Sequence, residues 1–298
     1  MKPSSKSDVG GSLSPGSQRG MHDGEITMVD LHAPDSVAAY LGRLWRVRGF
    51  IAAMPAADLR ARHAEHRLGW AWMVLNPLFF SGVYYLLFGV LFNTSRGIDN
   101  FVTFLVIGVF CFQFTARSVS AAMWTLNANA RLIQSLRFPK AALPTATTLS
   151  ETYVHVPGLA VMLVVALLTS VRPSLSWVLI LPATVIQAVF NLGLALIIAR
   201  LSFGTRDIIN VVPHALRLWL YLSGVLFGVD LLAQRGGPVV VDIFQANPMW
   251  IYLRMYRDAL LGGSANPSTW LWGTVYAVTS LIIGLLFFKA REHHYSRV

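Results

Sequence analysis

Glu151 and His155 stand four residues apart in an apolar stretch, so on a helix they share one face. A carboxylate and an imidazole placed this way suit either half of a metal pair or a proton relay. No further ligand accompanies them, which argues against metal. Cys111 is the only cysteine, so the chain can form neither an internal disulfide nor a cysteine-based metal site. Arg117, His214 and Arg217 are the other ionisable groups that draw notice inside apolar stretches. Arg117 and Glu151 each lie about 10 Å in from the same surface at the helical rise, so they can pair. With His214 and Arg217 equally shallow, a polar ring near one leaflet is one reading and snorkelling to the interface is the other. No Gly-Lys dipeptide occurs, which excludes the phosphate-cradling GxxxxGK[ST] loop, and neither GxSxG nor HExxH is present. The chain is not expected to be an enzyme in its own right.

The elements that position these groups follow from composition. Of 298 residues 55% are hydrophobic and 13% charged, too apolar for an aqueous monomer, so the expected class is an all-α integral membrane protein. The net charge of +10 fits cytosolic segments beside anionic lipid better than nucleic acid, because no basic patch with interleaved aromatics occurs in a soluble domain. Residues 1–34 read as a disordered cytosolic tail without the apolar core of a secretory signal. Residues 35–68 read as an amphipathic interfacial helix, N-capped at Asp35 or Ser36 and stopped by Pro55, followed by a basic connector; a helix in a small soluble domain is the alternative. Residues 69–298 supply six spans, at about 69–92, 101–125, 145–170, 176–199, 211–230 and 269–288. An inside N-terminus leaves only Arg96, Arg172, Arg235, Arg254 and Arg257 outside, so both termini are expected in the cytosol.

Three further stretches carry functional expectations. Between spans two and three, RLIQSLRFPKAALP at 131–144 puts Leu132, Ile133, Leu136 and Phe138 at near-helical spacing among Arg131, Arg137 and Lys140. It reads either as a short helix offering a face to a partner or as an ordinary basic loop. Outside, residues 231–268 are too long for a simple connection and too apolar for a solvated one, and they read as two short re-entrant helices at 238–262 lining a cavity. Aromatic stripes at Phe80, Tyr84 and Phe88, at Phe110 and Phe114, and at Trp219 and Tyr221 suit a glycan path, since sugar C–H faces stack on aromatic rings; lipid-facing or packing aromatics are the alternative.

Six motifs then stand in order: LWRVRGF at 44–50, DLRARH at 58–63, LGWAWMVLNPL at 68–78, NANARLIQSLRFPKAALP at 127–144, RDI at 206–208 and NPMWIYLRMYRDALLG at 247–262. From Leu44 onward the chain thereby resembles the membrane subunit of polysaccharide-exporting ABC transporters, and within them is most similar to exporters of cell-wall galactan. The resemblance implies a homodimer in the cytoplasmic membrane, two copies of a separate ATPase subunit holding ATP and Mg, no cofactor in this chain, and a polyprenyl-diphosphate-linked glycan as cargo. It implies ATPase coupling through Arg131, Leu132, Leu136, Arg137, Phe138 and Lys140, and a gate containing Asn247, Arg254, Arg257 and Asp258. Arg43, Arg46, Arg60, Arg62 and Arg67 are candidates for attracting the lipid diphosphate. His63 stands where a Tyr is usual, and Ser223-Gly224-Val225 replaces a usual Pro-Val region; both departures loosen the substrate assignment. The rival readings are an exporter of a drug or small lipid, and a membrane enzyme on polyprenyl-linked sugars using Glu151, His155 or His214. A pure scaffold fits poorly with charges inside spans.

Overall fold

The computed structural model describes residues 37–64, 69–92, 98, 100–136, 138–203, 205–262 and 266–292, with the side chains at 59–64, 69–70, 206 and 229–236 outside the description. The expected tail at 1–34, the Asp35/Ser36 cap, Arg67 and Arg137, and the side chains of Arg60 and Arg62, lie outside the described residues. Every regular element among those described is helical.

In chain order these are α1 (Val37–Arg46), α2 (Arg48–Ala64), α3 (Gly69–Tyr84, continued by a π-helical stretch Tyr85–Leu91), α4 (Phe101–Ala128), α5 (Ala130–Ser135), α6 (Ala142–Leu168), α7 (Ile180–Ser202, entered by a 3₁₀ turn Leu175–Leu179), α8 (Arg206–Leu222), α9 (Val229–Gln245), α10 (Pro248–Leu261) and α11 (Pro267–Lys289). Five stretches are long and apolar enough to cross a membrane: Ala71–Leu91, Phe101–Ala128, Ala142–Leu168, Leu175–Ser202 and Pro267–Lys289. The span expected at 211–230 differs. Helix α8 starts earlier and stops at Leu222, and the apolar residues after it turn back, because Gly224 takes φ 69° where a side chain would run into the Trp250 ring. The expected interfacial helix differs too: it breaks at Val47 into α1 and α2, and Pro55 sits inside α2 rather than ending it.

Helix α4 is the centre of the bundle, with Leu105, Ile107, Val109, Phe110, Cys111 and Phe114 at 0–1% exposure. It packs on α6 and α7, and α7 in turn crosses α11 closely. At that crossing a Cβ on Gly193 would meet the Ser280 carbonyl and one on Gly284 would meet the Gly193 backbone, so only glycine permits the approach. Ser280 Oγ uses the proximity to donate to the Phe190 carbonyl at 3.1 Å. Polar side chains bind α4 to α7: Gln187 Nε2 donates to the Cys111 carbonyl and to Thr115 Oγ1, both at 2.9 Å, and Thr115 Oγ1 donates to Asn191 Oδ1 at 2.8 Å.

Candidate functional site

At the end of the bundle that carries α1 and the tip of α11, helix α5 covers a small core. Ile133 is buried and Leu132 half-buried in a cluster with Leu126, Leu143, Leu196 and Phe288, whereas Arg131, Gln134 and Ser135 are exposed. The chain turns extended at Leu136, which leaves that side chain 55% exposed. Phe138 does the opposite. It packs against the same cluster and meets the Phe50 ring of α2 at 5.8 Å, so the expected pair Leu136 and Phe138 is divided between an outward and an inward residue.

Immediately downstream the segment is clasped from two sides. The Lys140 backbone N–H donates to the Glu292 carboxylate at 2.8 Å and Lys140 Nζ donates to the Glu292 carbonyl at 3.1 Å, while the Ala141 N–H donates to the Tyr40 hydroxyl at 3.4 Å. Tyr40 is buried; that burial, reinforced by the neighbouring Glu292 carboxylate and a hydrogen bond to it, holds its hydroxyl well above the usual phenol range. It therefore stays protonated and donates to Glu292. Burial draws Lys140 below the usual ammonium range, against the pull of Glu292. Nothing in the spacing of Tyr40 and Glu292 announces this clasp; the only trace in sequence is an acid placed among bases after the last span.

Deeper in, the structure brings Arg117 and Glu151 together at 3.6 Å, the carboxylate almost fully buried. His155 lies one turn further, fully buried and stacked on Phe114 at 4.5 Å, with neither ring nitrogen hydrogen-bonded. Among the described residues no three His, Cys, Asp or Glu gather as metal ligands. His214 and Arg217 do not join this group; they are exposed on α8, together with Tyr221. The other face of α8, with Val212 and Leu216, packs on Val119 and Met123 of α4. Phe110 and Phe114 are enclosed in the core, and Trp219 is half-buried against Phe112 and Phe190. On α3 and its π-helical continuation Phe80, Tyr84 and Phe88 form a continuous ladder with centroids 6.3–6.5 Å apart, in which Phe80 is exposed while Tyr84 and Phe88 are half-buried against the core.

At the opposite end α10 is buried like a core helix. Asn247 caps it by accepting from the Met249 N–H at 3.0 Å, accepts from Trp219 Nε1 at 3.0 Å, and donates to the Leu222 carbonyl at 2.9 Å. Arg257 donates to the carbonyls of Gly224, Val225 and Phe104 at 3.0, 3.2 and 3.3 Å, and its guanidinium lies 3.3 Å from the centre of the Phe104 ring. These two residues therefore tie α10 to the turn that follows α8. Arg254 and Asp258 instead pair with each other nearer the surface, at 3.7 Å.

A sequence profile of the family described as ABC-2 type transporter matches residues 53–261, more than half of the chain. The chain belongs to that family. Among curated proteins it is 27% identical over 244 residues to the O-antigen export system permease protein RfbA of Klebsiella pneumoniae, covering 81% of this chain and 91% of that one. The protein of the same name in Myxococcus xanthus is 28% identical over 214 residues, 72% of this chain and 81% of its own length. The polysialic acid transport protein KpsM of Escherichia coli is 19% identical over 251 residues, at 81% and 93% coverage. The match places α5, the Arg117–Glu151 pair, α8 and α10 all inside the family domain, while α1 and Glu292 lie outside it. Sequence reasoning overlooked the Gln187–Asn191 pair, although two amides four residues apart in an apolar span are a recognisable signal for interhelical bonding.

Proposed function

We propose that this ABC-2 transporter chain is the membrane permease of an ATP-driven polysaccharide exporter, acting as a homodimer in the cytoplasmic membrane with two copies of a separate ATPase that holds ATP and Mg. The observation that carries the reading is the exposed side of α8 and α3. His214, Arg217 and Tyr221 face outward from a helix in a membrane protein, and Phe80 is exposed at the start of the ladder that Tyr84 and Phe88 continue toward the core. An imidazole and a guanidinium are not stably presented to lipid tails, so this face requires a second subunit or a water-filled path. Aromatic faces interrupted by polar groups suit a passing glycan better than a hydrocarbon. The relatives named for O-antigen export and polysialic acid transport point the same way.

The exposed Leu136, beside exposed Arg131, is the surface on which the ATPase docks. On this reading the basic end, where α1, the coupling segment and the residues after α11 are hydrogen-bonded together, faces the cytosol, and the excess of Lys and Arg there supports cytosolic termini. On α1, Tyr40 and Leu44 turn inward while Val37, Leu41 and Trp45 form an exposed apolar stripe flanked by Arg43, Arg46 and Arg48, as a helix lying in the membrane surface requires. Arg43 and Arg46 would draw in the diphosphate of a polyprenyl-linked glycan, with a galactan as the specific cargo.

The test is reconstitution with the ATPase in vesicles and export of defined polyprenyl-diphosphate glycans, with cysteine crosslinking at Leu218, which is 64% exposed on α8. Expected are ATP-dependent glycan export and a crosslinked dimer. Export of a short lipid but no glycan would replace this reading with the small-substrate exporter. A chain that never co-purifies with an ATPase would replace it with the membrane enzyme.

A further inference from the structure

A cavity of about 400 Å³ opens where the end of α9, the start of α10 and the start of α11 meet, at the end of the bundle opposite the coupling segment. It is distinct from the α3–α8 face. Its floor and one wall are aromatic: Trp250, Trp272 and Tyr276 line it, and the last two rings lie 6.3 Å apart. Asp242, Gln245, Arg254, Ser268 and Thr269 add donors and acceptors, and Ala246 and Ile251 complete the lining. Tyr276 ties the walls together by donating from its hydroxyl to the Ala246 carbonyl at 2.8 Å. Trp250 is 7% exposed and its indole N–H has no hydrogen-bond partner. The benzo edge of that indole is wedged against Gly224, which fixes the ring where it lines the cavity.

The chemistry of the lining narrows the ligand. Half of the groups are polar, which does not suit an acyl or prenyl chain. A phosphate does not suit it either, because Asp242 lines the same space and Asp258, 3.7 Å from Arg254, offsets the guanidinium charge while leaving its other N–H groups to donate. Among the described residues no three metal-ligating side chains come together, so nothing there points to a cation. What remains is a ligand with apolar faces for the rings and neutral hydroxyls for a carboxylate, an amide and a guanidinium. A sugar ring has both, and the cavity lies within the size range of small-ligand sites.

We propose that this cavity is a second, external carbohydrate site, which holds one or two neutral sugar units at the membrane boundary. Trp272 and Tyr276 provide the stacking surface, Asp242 accepts from sugar hydroxyls, and Arg254 donates to them. The sugar comes either from a glycan leaving the transporter or from the headgroup of an outer-leaflet glycolipid. The first source rests on the export reading above and the second does not.

The experiment uses the full chain alone in phosphatidylcholine nanodiscs, without ATPase. One arm measures saturation transfer to a lipid-free galactose disaccharide by NMR. A second counts monogalactosyl diacylglycerol retained by the protein in native mass spectrometry, and a third does the same for phosphatidylglycerol. Expected is binding in one or both sugar arms, weakened about fivefold by Trp272→Ala and by Asp242→Asn. Trp124→Ala, an exposed tryptophan near the other end of the bundle, should leave binding unchanged. Trp272 is 54% exposed, so its variant should remain folded, and Asp242→Asn keeps the side-chain shape should it not. Binding of the disaccharide alone assigns the site to the emerging glycan; binding of the glycolipid alone assigns it to the bilayer. Failure in both sugar arms, binding indifferent to both variants, or a preference for phosphatidylglycerol would overturn the site. Since no transport enters the measurement, a null result here leaves glycan export standing, and failed export in vesicles leaves a positive binding result standing.

Discussion

Helix α10 and helix α5 sit at opposite ends of the same bundle and are held in opposite ways. Most of α10 is buried, and its bonds come from every side: Asn247 at its start, Arg257 to three carbonyls, the Tyr252 hydroxyl to the Gly273 carbonyl at 2.9 Å, and Ser176 Oγ and Trp177 Nε1 to its last carbonyls at 2.7 and 3.2 Å. Helix α5 is six residues long, buries Ile133 alone among its side chains, and the chain just after it is clasped at Lys140 and Ala141. The α10 end therefore behaves as part of the core, whereas α5 with Leu136 is a surface held in place at its root. An element that receives force from another protein needs that arrangement, because a fully buried helix has no face to offer and a loose loop cannot transmit a push.

The largest expected effect is at the rigid end. Arg257→Met removes the donor to the carbonyls of Gly224, Val225 and Phe104 and should destabilise the fold by about 3 kcal/mol or more. Thermal unfolding in detergent measures it. A midpoint within a degree of the parent would mean that α10 is not held by this residue, and the contrast with α5 would fail at its stronger pole.

Next comes the outward residue of the coupling segment. Leu136→Asp adds a charge where 55% of the side chain already faces water, so stability should change by no more than about 0.5 kcal/mol while docking of the ATPase loses several kcal/mol. Expected are normal amounts of inserted protein, lost co-purification of the ATPase and no export. Phe138→Asp sharpens the comparison. Its ring packs inward against Phe50, so this variant should lose folded protein itself. Equal behaviour of the two variants would remove the division between presented and anchoring residues.

A smaller effect is expected between the two ends, at Arg117 and Glu151. Removing either partner leaves the other in a largely buried setting, and the exchange Arg117→Glu with Glu151→Arg should recover part of the loss, a coupling of about 1 kcal/mol. A double-mutant cycle on thermal stability reads this directly. Strictly additive losses would show that the two charges act independently.

How much of this was legible in sequence follows the same contrast. The apolar runs at 101–125, 145–170, 176–199 and 269–288 correspond to spans, because twenty apolar residues in lipid have one way to satisfy their backbone. The run at 211–230 misled, since Gly224 allows a reversal that hydropathy does not register. Arg117 and Glu151 were legible as depth-matched charges. Phe110 and Phe114 were not separable from Phe80 and Tyr84, because a stripe of rings has the same spacing whether it faces the core or a path. The clasp was invisible, since it joins residues far apart in the chain through backbone groups, and backbone groups carry no residue code.

The smallest effect is expected at that clasp, and it bears most on function. Glu292→Gln keeps an acceptor for the Lys140 N–H but removes the charge facing Tyr40 and Lys140; Tyr40→Phe removes the hydroxyl that Ala141 uses. Each exchanges one hydrogen bond and should cost about 1 kcal/mol, too little to unfold the chain. Helix α5 would still meet the ATPase through Leu136, so co-purification should persist. What should fall is the transmission of the push, since the segment's downstream edge would slide where it had been tied. Glycan exported per ATP hydrolysed should therefore decrease in both variants at unchanged ATPase binding, with Glu292→Asp restoring part of it. The clasp also has a pH signature. Tyr40 keeps its proton in the fold while a free phenol ionises near pH 10, so the parent's stability should fall as the pH rises past about 10, and Tyr40→Phe should lack that fall. A parent and a Tyr40→Phe variant with the same coupling ratio and the same alkaline profile would mean that α5 is placed by its buried Ile133 alone, and that the clasp merely closes the end of the bundle.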